Sequence, residues 1–218
     1  MKQFNHIHHE IPSITRIDDE GKRVYQTPTD HKYPSVTSVT SIINEDSIKK
    51  WRNRVGEEQA NQISSRACNR GTAIHSLCES YLLNEQTNPS IFDKEVFDSL
   101  VPYLDKFDNI HALETQLYSN VLEVAGTVDC IAEYDGKLYI IDFKTSKKPK
   151  KKEYINNYFM QCAAYSYMFW ERTSILVEEL MILVAIDDEE PQVFIEPVKP
   201  WLEKFTEVRK EFKEKKGY

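Results

Sequence analysis

Apolar residues in the first half of the chain are spaced as on the buried faces of helices. Between residues 93 and 108, five of them recur three or four positions apart: Phe97, Leu100, Val101, Leu104 and Phe107. This spacing predicts an amphipathic helix over residues 93–108. Residues 57–83 are rich in Glu, Gln, Ala, Arg and Leu. They predict a longer helix, in which Gly71 is the weak point.

Two shorter helices are predicted ahead of these. The first begins shortly after Ser35, and its candidate N-terminal caps are hydroxyl residues: Ser38, Thr40 and Ser41. The second runs from Asn44 through Trp51. We therefore expect a helical lobe over residues 34–108.

Residues 1–33 are predicted to form an extension that contains a small hairpin. Its strands, residues 14–17 and 22–26, flank the turn-forming residues 18–21.

The apolar positions change from helical to extended spacing near residue 109. Three segments predict strands: residues 111–119, 124–134 and 137–144. Asp135-Gly136, between the last two, is typical of a two-residue hairpin turn. Together the three segments predict an antiparallel meander.

A strand–helix–strand crossover follows the meander. Residues 153–171 predict an apolar helix, and residues 179–186 predict a strand that is buried on both faces. A right-handed crossover of this length places that strand parallel to the last strand of the meander. An edge strand, residues 192–197, and a helix, residues 200–214, complete a mixed α/β sheet flanked by helices, over residues 109–218. The whole chain is predicted to be a single domain.

Two carboxylates interrupt the apolar strands, where Asp is disfavoured. In the hairpin around Asp135-Gly136, Asp129 and Asp142 lie directly opposite each other or nearly so. Cross-strand side chains on one face have their Cβ atoms about 5 Å apart. Two negative charges at this distance repel each other unless a cation lies between them. Hard oxygen ligands with room for water favour Mg²⁺ or Mn²⁺.

Lys144 adds a positive charge to this pair. It lies two residues after Asp142, so on a strand both project from one face while Phe143 projects from the other. Asp129, Asp142 and Lys144 could hold a metal, lower the pKa of a bound water and place an ammonium beside developing negative charge. The alternative is a surface salt bridge between Asp142 and Lys144, with Asp129 solvated at the end of its strand.

Composition and charge limit the class of partner. Of 218 residues, 40% are hydrophobic and 29% are charged, which is typical of a globular protein. The formal net charge of -7 argues against a nucleic-acid partner. However, residues 144–152 contain six Lys and no acidic residue, so the rest of the chain carries -13. No apolar run approaches the roughly 20 residues of a membrane helix. We therefore expect no membrane association and a cytoplasmic location.

Four short motifs occur in order along the chain. Residues 70–75 contain G-x-x-x-H, residues 126–129 read G-x-x-D, residues 140–146 contain D-x-K-T-S, and residues 161–165 read Q-x-x-x-Y. In this combination they resemble the PD-(D/E)XK nucleases, in the form typical of the RecB-like exonuclease branch. Together with residues 34–37 before a helix, they are most similar to the subgroup of the mitochondrial genome maintenance exonucleases and their phage relatives. The resemblance implies a restriction-endonuclease-like core.

The resemblance also implies roles for individual residues. Asp129 and Asp142 would be metal ligands, and the backbone carbonyl of Phe143 would be a third. Lys144 would orient the attacking water and stabilise charge. His75 would complete the metal shell from the helical lobe, although a lone His is more commonly a helix-face residue near the core.

Three further residues have weaker roles by the same resemblance, and Glu79 is a candidate by its helical spacing from His75. Glu114 would be the acidic residue that the family commonly carries on the first strand of the meander. Gln161 and Tyr165 share a helix face, which would point at the active site or at the DNA backbone, or would simply pack beside the sheet. Glu79, on the same helix face as His75, could bind metal, orient the His ring or be solvated.

Basic residues indicate where DNA could bind. The Lys run would meet phosphates beside the catalytic Lys, unless it is a solvated loop. Its members are Lys147, Lys148, Lys150, Lys151 and Lys152. Trp51 and Arg52 combine an aromatic ring with cations, as single-strand binding requires, unless Trp51 packs inward. The remaining candidates lie in the helical lobe: Ser35, Thr37, Arg66 and Arg70.

We therefore expect a Mg²⁺- or Mn²⁺-dependent exonuclease that hydrolyses phosphodiester bonds at single-stranded DNA ends, in replication, recombination or repair. The alternatives are a flap endonuclease and a non-catalytic DNA-binding module. The expected partners are DNA and proteins of replication or recombination, in a bacterial or phage-infected cell. No iron–sulfur cluster is expected, because the four Cys residues lack the clustered trio that it needs. They are predicted to be buried reduced thiols: Cys68, Cys78, Cys130 and Cys162.

Overall fold

The computed structural model describes residues 2–19 and 22–217. Its first element is a small antiparallel sheet of β1 (Thr15–Asp19), β2 (Lys22–Gln26) and β3 (Lys32–Pro34). The predicted hairpin strands are confirmed, but β1 continues through Asp18 and Asp19, which were predicted to lie in the turn. The rest of that turn, residues 20 and 21, lies outside the described residues. The third strand was not predicted, because three residues are too few to establish an alternating pattern.

Four α-helices follow, as predicted. They are α1 (Val36–Ser41), α2 (Glu45–Val55), α3 (Glu57–Leu82) and α4 (Lys94–Leu104). The predicted caps of α1 are wrong: the hydroxyl of Ser35 accepts a hydrogen bond from the backbone N–H of Ser38 at 3.0 Å, which makes Ser35 the cap. Helix α3 continues through Gly71 without a break.

The end of the fourth helix differs from the prediction. Phe107 has the helical spacing of the preceding apolar residues, but it is the first residue of β4 (Phe107–Ser119). Its side chain is fully buried. Because the ring is buried in either conformation, the spacing of apolar residues did not indicate where the helix ends.

The central sheet has five strands in sequence order. After β4 come β5 (Val124–Tyr134), β6 (Lys137–Ser146), β7 (Glu179–Ile186) and β8 (Glu189–Pro197). Strand β6 pairs with β7 in parallel, and all other neighbours pair antiparallel. Helix α5 (Asn156–Thr173) forms the crossover, and α6 (Val198–Lys216) ends the described chain. The predicted mixed α/β fold is confirmed.

The helices cover both faces of the central sheet. Alternate residues of β7 face opposite sides: Leu180, Ile182 and Val184 pack with α5 and α6. Met181 and Leu183 pack with α3 and α4. This alternation follows from the period-two geometry of a strand and explains why the whole segment is apolar.

Three of the four cysteines are buried, as predicted: Cys78, Cys130 and Cys162. The prediction is wrong for Cys68, which lies on the exposed part of α3.

Among the described residues, no helix combines the length and apolar character needed to cross a membrane.

Candidate functional site

The residues predicted to hold a metal lie together where β5 and β6 separate within the central sheet. Asp129 of β5 and Asp142 of β6 approach from adjacent strands, Glu114 approaches from β4, and His75 approaches from α3. The described pairing of β5 with β6 ends at Cys130 and Ile141, so the same register places Asp129 opposite Asp142. The predicted alignment of the two carboxylates therefore holds.

The two strands separate at this pair, and the carboxylate of Asp129 takes the place of a backbone partner. Asp129 Oδ2 accepts a hydrogen bond from the backbone N–H of Phe143 at 2.9 Å. Both Asp129 and Asp142 are buried. The solvated Asp129 of the alternative interpretation is therefore absent. The salt bridge between Asp142 and Lys144 does form, but its carboxylate is buried and its ammonium is only partly exposed.

His75 is oriented by the backbone of the same residue, Phe143. Its Nε2 lies 2.6 Å from the carbonyl oxygen of Phe143, which can only accept, so Nε2 carries the proton. Nδ1 lies 3.5 Å from Asp129 Oδ2 and 3.8 Å from Glu114 Oε1. Burial lowers the pKa of His75, but Glu114 and Asp129 outweigh this effect and raise it overall. A metal ion would displace the proton that these carboxylates attract to Nδ1.

One ligand atom from each of three residues fits a single metal ion. Suitable atoms of His75, Glu114 and Asp129 all lie within 4.8 Å of one another. The carbonyl oxygen of Phe143, which was also predicted to bind metal, faces His75. An imidazole with carboxylates is a donor set that Mn²⁺ accepts readily and Mg²⁺ tolerates.

Glu114 has an unusual backbone conformation. Its φ of 42° lies in the left-handed region, which disfavours residues with a Cβ atom. The hydroxyl of Thr115 donates to the carbonyl of Leu113 at 3.0 Å and accepts from the Leu113 N–H at 3.2 Å. These two hydrogen bonds brace the turn at Glu114. Such strain persists only where the surrounding structure imposes it.

Asp142 forms the most buried part of the site. Its Oδ1 accepts hydrogen bonds from Lys144 Nζ at 2.5 Å and from Gln161 Nε2 at 3.2 Å. Its Oδ2 is buried, and no hydrogen-bond partner for it lies among the described residues. Burial raises the pKa of Asp142 to about 6, although Lys144 opposes the shift. A buried oxygen without a partner is costly, and a metal ion would supply the missing interaction.

Lys144 remains positively charged at neutral pH. Burial alone would lower its pKa, but Asp142 and Asp129 outweigh burial and raise it. Its Nζ also lies 5.0 Å from the centre of the Tyr158 ring. The ammonium is therefore held between a carboxylate and an aromatic face, in the position predicted from the strand alternation.

The remaining two motif residues, Gln161 and Tyr165, both face the site from α5. Gln161 bonds to Asp142, whereas Tyr165 packs directly over Gly126 of β5. A Cβ atom at position 126 would lie 2.8 Å from Tyr165 Oη. The glycine of one motif therefore makes room for the tyrosine of another. Glu79, also predicted near His75, lines a shallow depression with His75 and Glu114.

The family follows from a comparison of the sequence with family profiles. The profile described as the PD-(D/E)XK nuclease superfamily matches residues 96–215, more than half of the chain. The chain belongs to this superfamily. The predicted resemblance is therefore confirmed. The PD-(D/E)XK nucleases use divalent metal ions.

Several PD-(D/E)XK relatives carry the name mitochondrial genome maintenance exonuclease 1. The human protein is 29% identical over 176 residues, covering 72% of this chain and 51% of that protein. The mouse protein is 30% identical over 131 residues, covering 53% and 38%. The chain thus spans about half or less of these relatives. A crystal structure of an exonuclease candidate from Eubacterium rectale has a TM-score of 0.45 and 14% identity, covering 65% of this chain and 64% of that chain.

The predicted DNA-binding residues of this PD-(D/E)XK protein fall into several environments. Ser35 and Thr37 both line the cleft beside the site, where Ser35 is buried as a helix cap and Thr37 is exposed. Trp51 is half-buried, and Arg52 forms an ion pair with Glu57 at the junction of α2 and α3. Lys152 pairs with Glu196. Of the run, Lys148 and Lys151 are exposed, while Lys147 and Lys150 line a groove with Arg66 and Arg70.

The cleft contains residues that the sequence analysis missed. It has a volume of about 540 Å³, and its walls include Arg16, Tyr25, Asn157 and Tyr158 as well as the motif residues. Tyr158 lies three residues before Gln161 on α5, so helical spacing could have placed it on the same face. Arg16 and Tyr25 come from β1 and β2, and no local pattern indicates that this hairpin reaches the site.

Proposed function

We propose that this protein is a metal-dependent DNA exonuclease that hydrolyses phosphodiester bonds at single-stranded DNA ends. The observation that carries the proposal is the buried Oδ2 of Asp142, which has no hydrogen-bond partner in the described part of the chain and lies beside His75, Glu114, Asp129 and the charged Lys144. Membership of the PD-(D/E)XK superfamily and similarity to proteins named exonucleases support it. Its setting would be DNA replication, recombination or repair in the cytoplasm.

The donor set suits a divalent cation. His75 Nδ1 and oxygens of Glu114, Asp129 and Asp142 would hold it. When bound, Mg²⁺ or Mn²⁺ would supply Lewis acidity, lower the pKa of a water and neutralise charge on a phosphate. Asp129 is held by the Phe143 N–H and His75 by the Phe143 carbonyl, so the backbone of one residue of β6 positions two ligands. This arrangement reduces the reorganisation needed on binding.

Lys144 would act as an electrostatic group and not as a base. Its ammonium is charged, and Asp142 and Tyr158 hold it in place. It can donate hydrogen bonds to an attacking water or to a phosphate oxygen as negative charge develops there. Gln161 donates to Asp142 Oδ1 and thereby leaves Oδ2 directed away from the ion pair.

The cleft has the chemistry of a single-stranded nucleic-acid site. The side chain of Arg16 and the hydroxyl of Thr37 can bind phosphate oxygens. Tyr158, which is half-buried in the lining, offers an aromatic ring on which an unpaired base can stack. A base inside a duplex cannot make such a contact, so the lining favours single strands.

Digestion of labelled oligonucleotides tests the proposal. Single-stranded DNA labelled at the 5′ or the 3′ end is incubated with Mg²⁺, with Mn²⁺, or with EDTA. We expect mononucleotide or short products from one end, with metal only. Asp142→Ala and Lys144→Ala should each lower the rate by about 10²-fold or more. Lys210→Ala, an exposed change on α6, is the matched control and should have no effect.

Three outcomes would contradict the proposal. Wild-type activity in Asp142→Ala or Lys144→Ala would remove the assigned site. Cleavage of circular as well as linear single strands would indicate an endonuclease, such as a flap-cutting enzyme. Binding of DNA without cleavage under either metal would indicate a non-catalytic module.

A further inference from the structure

A second groove lies beside the candidate active site. It has a volume of about 460 Å³, and its walls are the exposed part of α3 and the chain that follows Lys144. Arg70, five residues before His75 on α3, lines one wall, and Thr145 and Ser146 line the other. The groove therefore begins where the strand carrying the catalytic Lys ends.

The groove is rich in basic residues. Four of its lining residues are cations: Arg66, Arg70, Lys147 and Lys150. Arg70 pairs with Asp187, at 2.7 Å from Nη1 to Oδ2, whereas no carboxylate in the described parts of the chain pairs with the other three. Cations that face one another without counter-charges repel. A polyanion would relieve this repulsion, in a protein whose net charge is -7.

The basic wall is held in position. The backbone N–H of Lys150 donates to Gln192 Oε1 at 2.6 Å, and Gln192 Nε2 donates to the carbonyl of Lys150 at 3.2 Å. These two bonds attach the loop that carries the Lys run to β8. Little ordering is then required when a ligand binds, and the cost of fixing Lys150 is reduced.

The groove also has an apolar side that leads to an exposed aromatic ring. Ile63 and Ala67 lie one turn apart on α3 and face the groove. Arg70 lines both this groove and a smaller depression that it shares with Phe92. Phe92 is 87% exposed, in the loop before α4. Cations beside exposed apolar and aromatic surface are what a single strand, with its phosphates and unpaired bases, requires.

We propose that this groove binds the phosphate backbone of the single-stranded DNA that extends from the active site, and that Phe92 stacks on a base where the strand leaves the groove. The proposal rests on the proposed nuclease function, because it assigns the path of that substrate. It adds a site that is separate from the cleft and that acts only on substrates long enough to reach it.

Binding without cleavage tests the groove. In EDTA, fluorescence anisotropy measures the affinity for single-stranded DNA of about 20 nucleotides over a salt series. The double variant Lys147→Ala/Lys150→Ala should bind about tenfold or more weakly. The slope of log affinity against log salt concentration should become shallower by about 0.7 for each cation removed. Lys210→Ala removes one exposed Lys from the opposite face of the sheet and should leave both quantities unchanged.

Phe92 has a neighbour that serves as its control. Ile91 is 86% exposed and does not line the depression, so Ile91→Ala removes equally exposed apolar surface. Phe92→Ala should weaken binding about fivefold or more, because each base stacked on an aromatic ring contributes this much. Phe92→Tyr should restore the affinity. An equal loss in Ile91→Ala, or no loss in Phe92→Ala, would overturn the role of Phe92.

Cleavage rates separate the groove from the active site. With Mg²⁺ or Mn²⁺, the double variant should cleave an oligonucleotide that is too short to fill the groove as fast as the wild type does. It should cleave a long oligonucleotide more slowly than the wild type when the DNA concentration is low. If the wild type cleaves DNA but the double variant keeps normal affinity, the groove proposal fails alone. If long DNA binds through the groove but is never cleaved, the proposed function fails alone. Displacement of DNA by polyglutamate as effectively as by unlabelled single strands would make the groove a general anion site and overturn the proposal.

Discussion

Gly126→Ala should destabilise the protein by overpacking the contact between β5 and α5. A Cβ atom at this position would lie 2.8 Å from Tyr165 Oη, 3.0 Å from Cε1 and 3.3 Å from Cζ. Tyr165 is only 3% exposed, so its ring cannot simply move into solvent. The added methyl therefore has to displace either the ring or the strand that carries Asp129.

The expected cost follows from the size of this clash. Inserting one methyl into a close-packed interior costs about 1–3 kcal/mol. For a protein of this length, that loss lowers the melting temperature by about 2–4 °C per kcal/mol. Tyr165→Phe removes Oη, the atom with the shortest contact. The double variant Gly126→Ala/Tyr165→Phe should therefore recover part of the loss, with a coupling of about 0.5–2 kcal/mol.

Urea denaturation of the four proteins in this cycle measures the coupling. Gly71→Ala is the matched control: it lies inside α3, and beyond the neighbouring helix backbone no atom of the described residues lies within 4 Å of its added Cβ. It should raise the free energy of unfolding by about 0.5–1 kcal/mol. Wild-type stability in Gly126→Ala would refute the packing argument. Strictly additive effects of the two substitutions would refute the assignment of the clash to Tyr165.

Three further predictions concern the metal site. Mg²⁺ or Mn²⁺ at about 100 times its dissociation constant should stabilise the protein by about 3 kcal/mol in a thermal melt, and His75→Ala should abolish that shift. Glu114→Gly should be more stable than Glu114→Ala by about 1 kcal/mol in urea, because only glycine relieves the left-handed backbone; equal stabilities would show that the turn is unstrained. Burial raises the pKa of Asp142 to about 6, above its value in the unfolded chain, so the folded protein binds the proton more tightly. In EDTA, stability should therefore fall by about 3 kcal/mol as pH rises from about 4 to about 6, and Asp142→Asn should lack this fall.

The central sheet could be predicted almost in full from the sequence. The Asp135-Gly136 turn fixes the register of β5 and β6, and continuous apolar character identifies β7. The prediction that failed, the end of the fourth helix, depended on tertiary context. Phe107 is buried whether it ends a helix or begins a strand, so its spacing was uninformative.

The site could be predicted as a set of residues but not as a geometry. Strand register placed Asp129 opposite Asp142, and alternation placed Lys144 on the side of Asp142. Neither rule indicates that the strands separate there, or that Glu114 adopts a positive φ. Both features arise where the hydrogen-bonded ladder between neighbouring strands is interrupted. Such an interruption leaves no periodic signal in the sequence, so it could not be predicted.

The charges around the end of β6 explain why net charge is a poor guide to the partner of this protein. Acidic residues converge where α3, β4 and β5 meet β6, while the chain leaving β6 supplies cations to the adjacent groove. The acidic region therefore attracts a divalent cation, and the basic groove attracts a polyanion. Because the field in a cleft is set by the nearest charges, an overall charge of -7 and a phosphate-binding surface are compatible. The carboxylates repel phosphate until a cation neutralises them, so metal binding and substrate binding at this end of the sheet should be coupled.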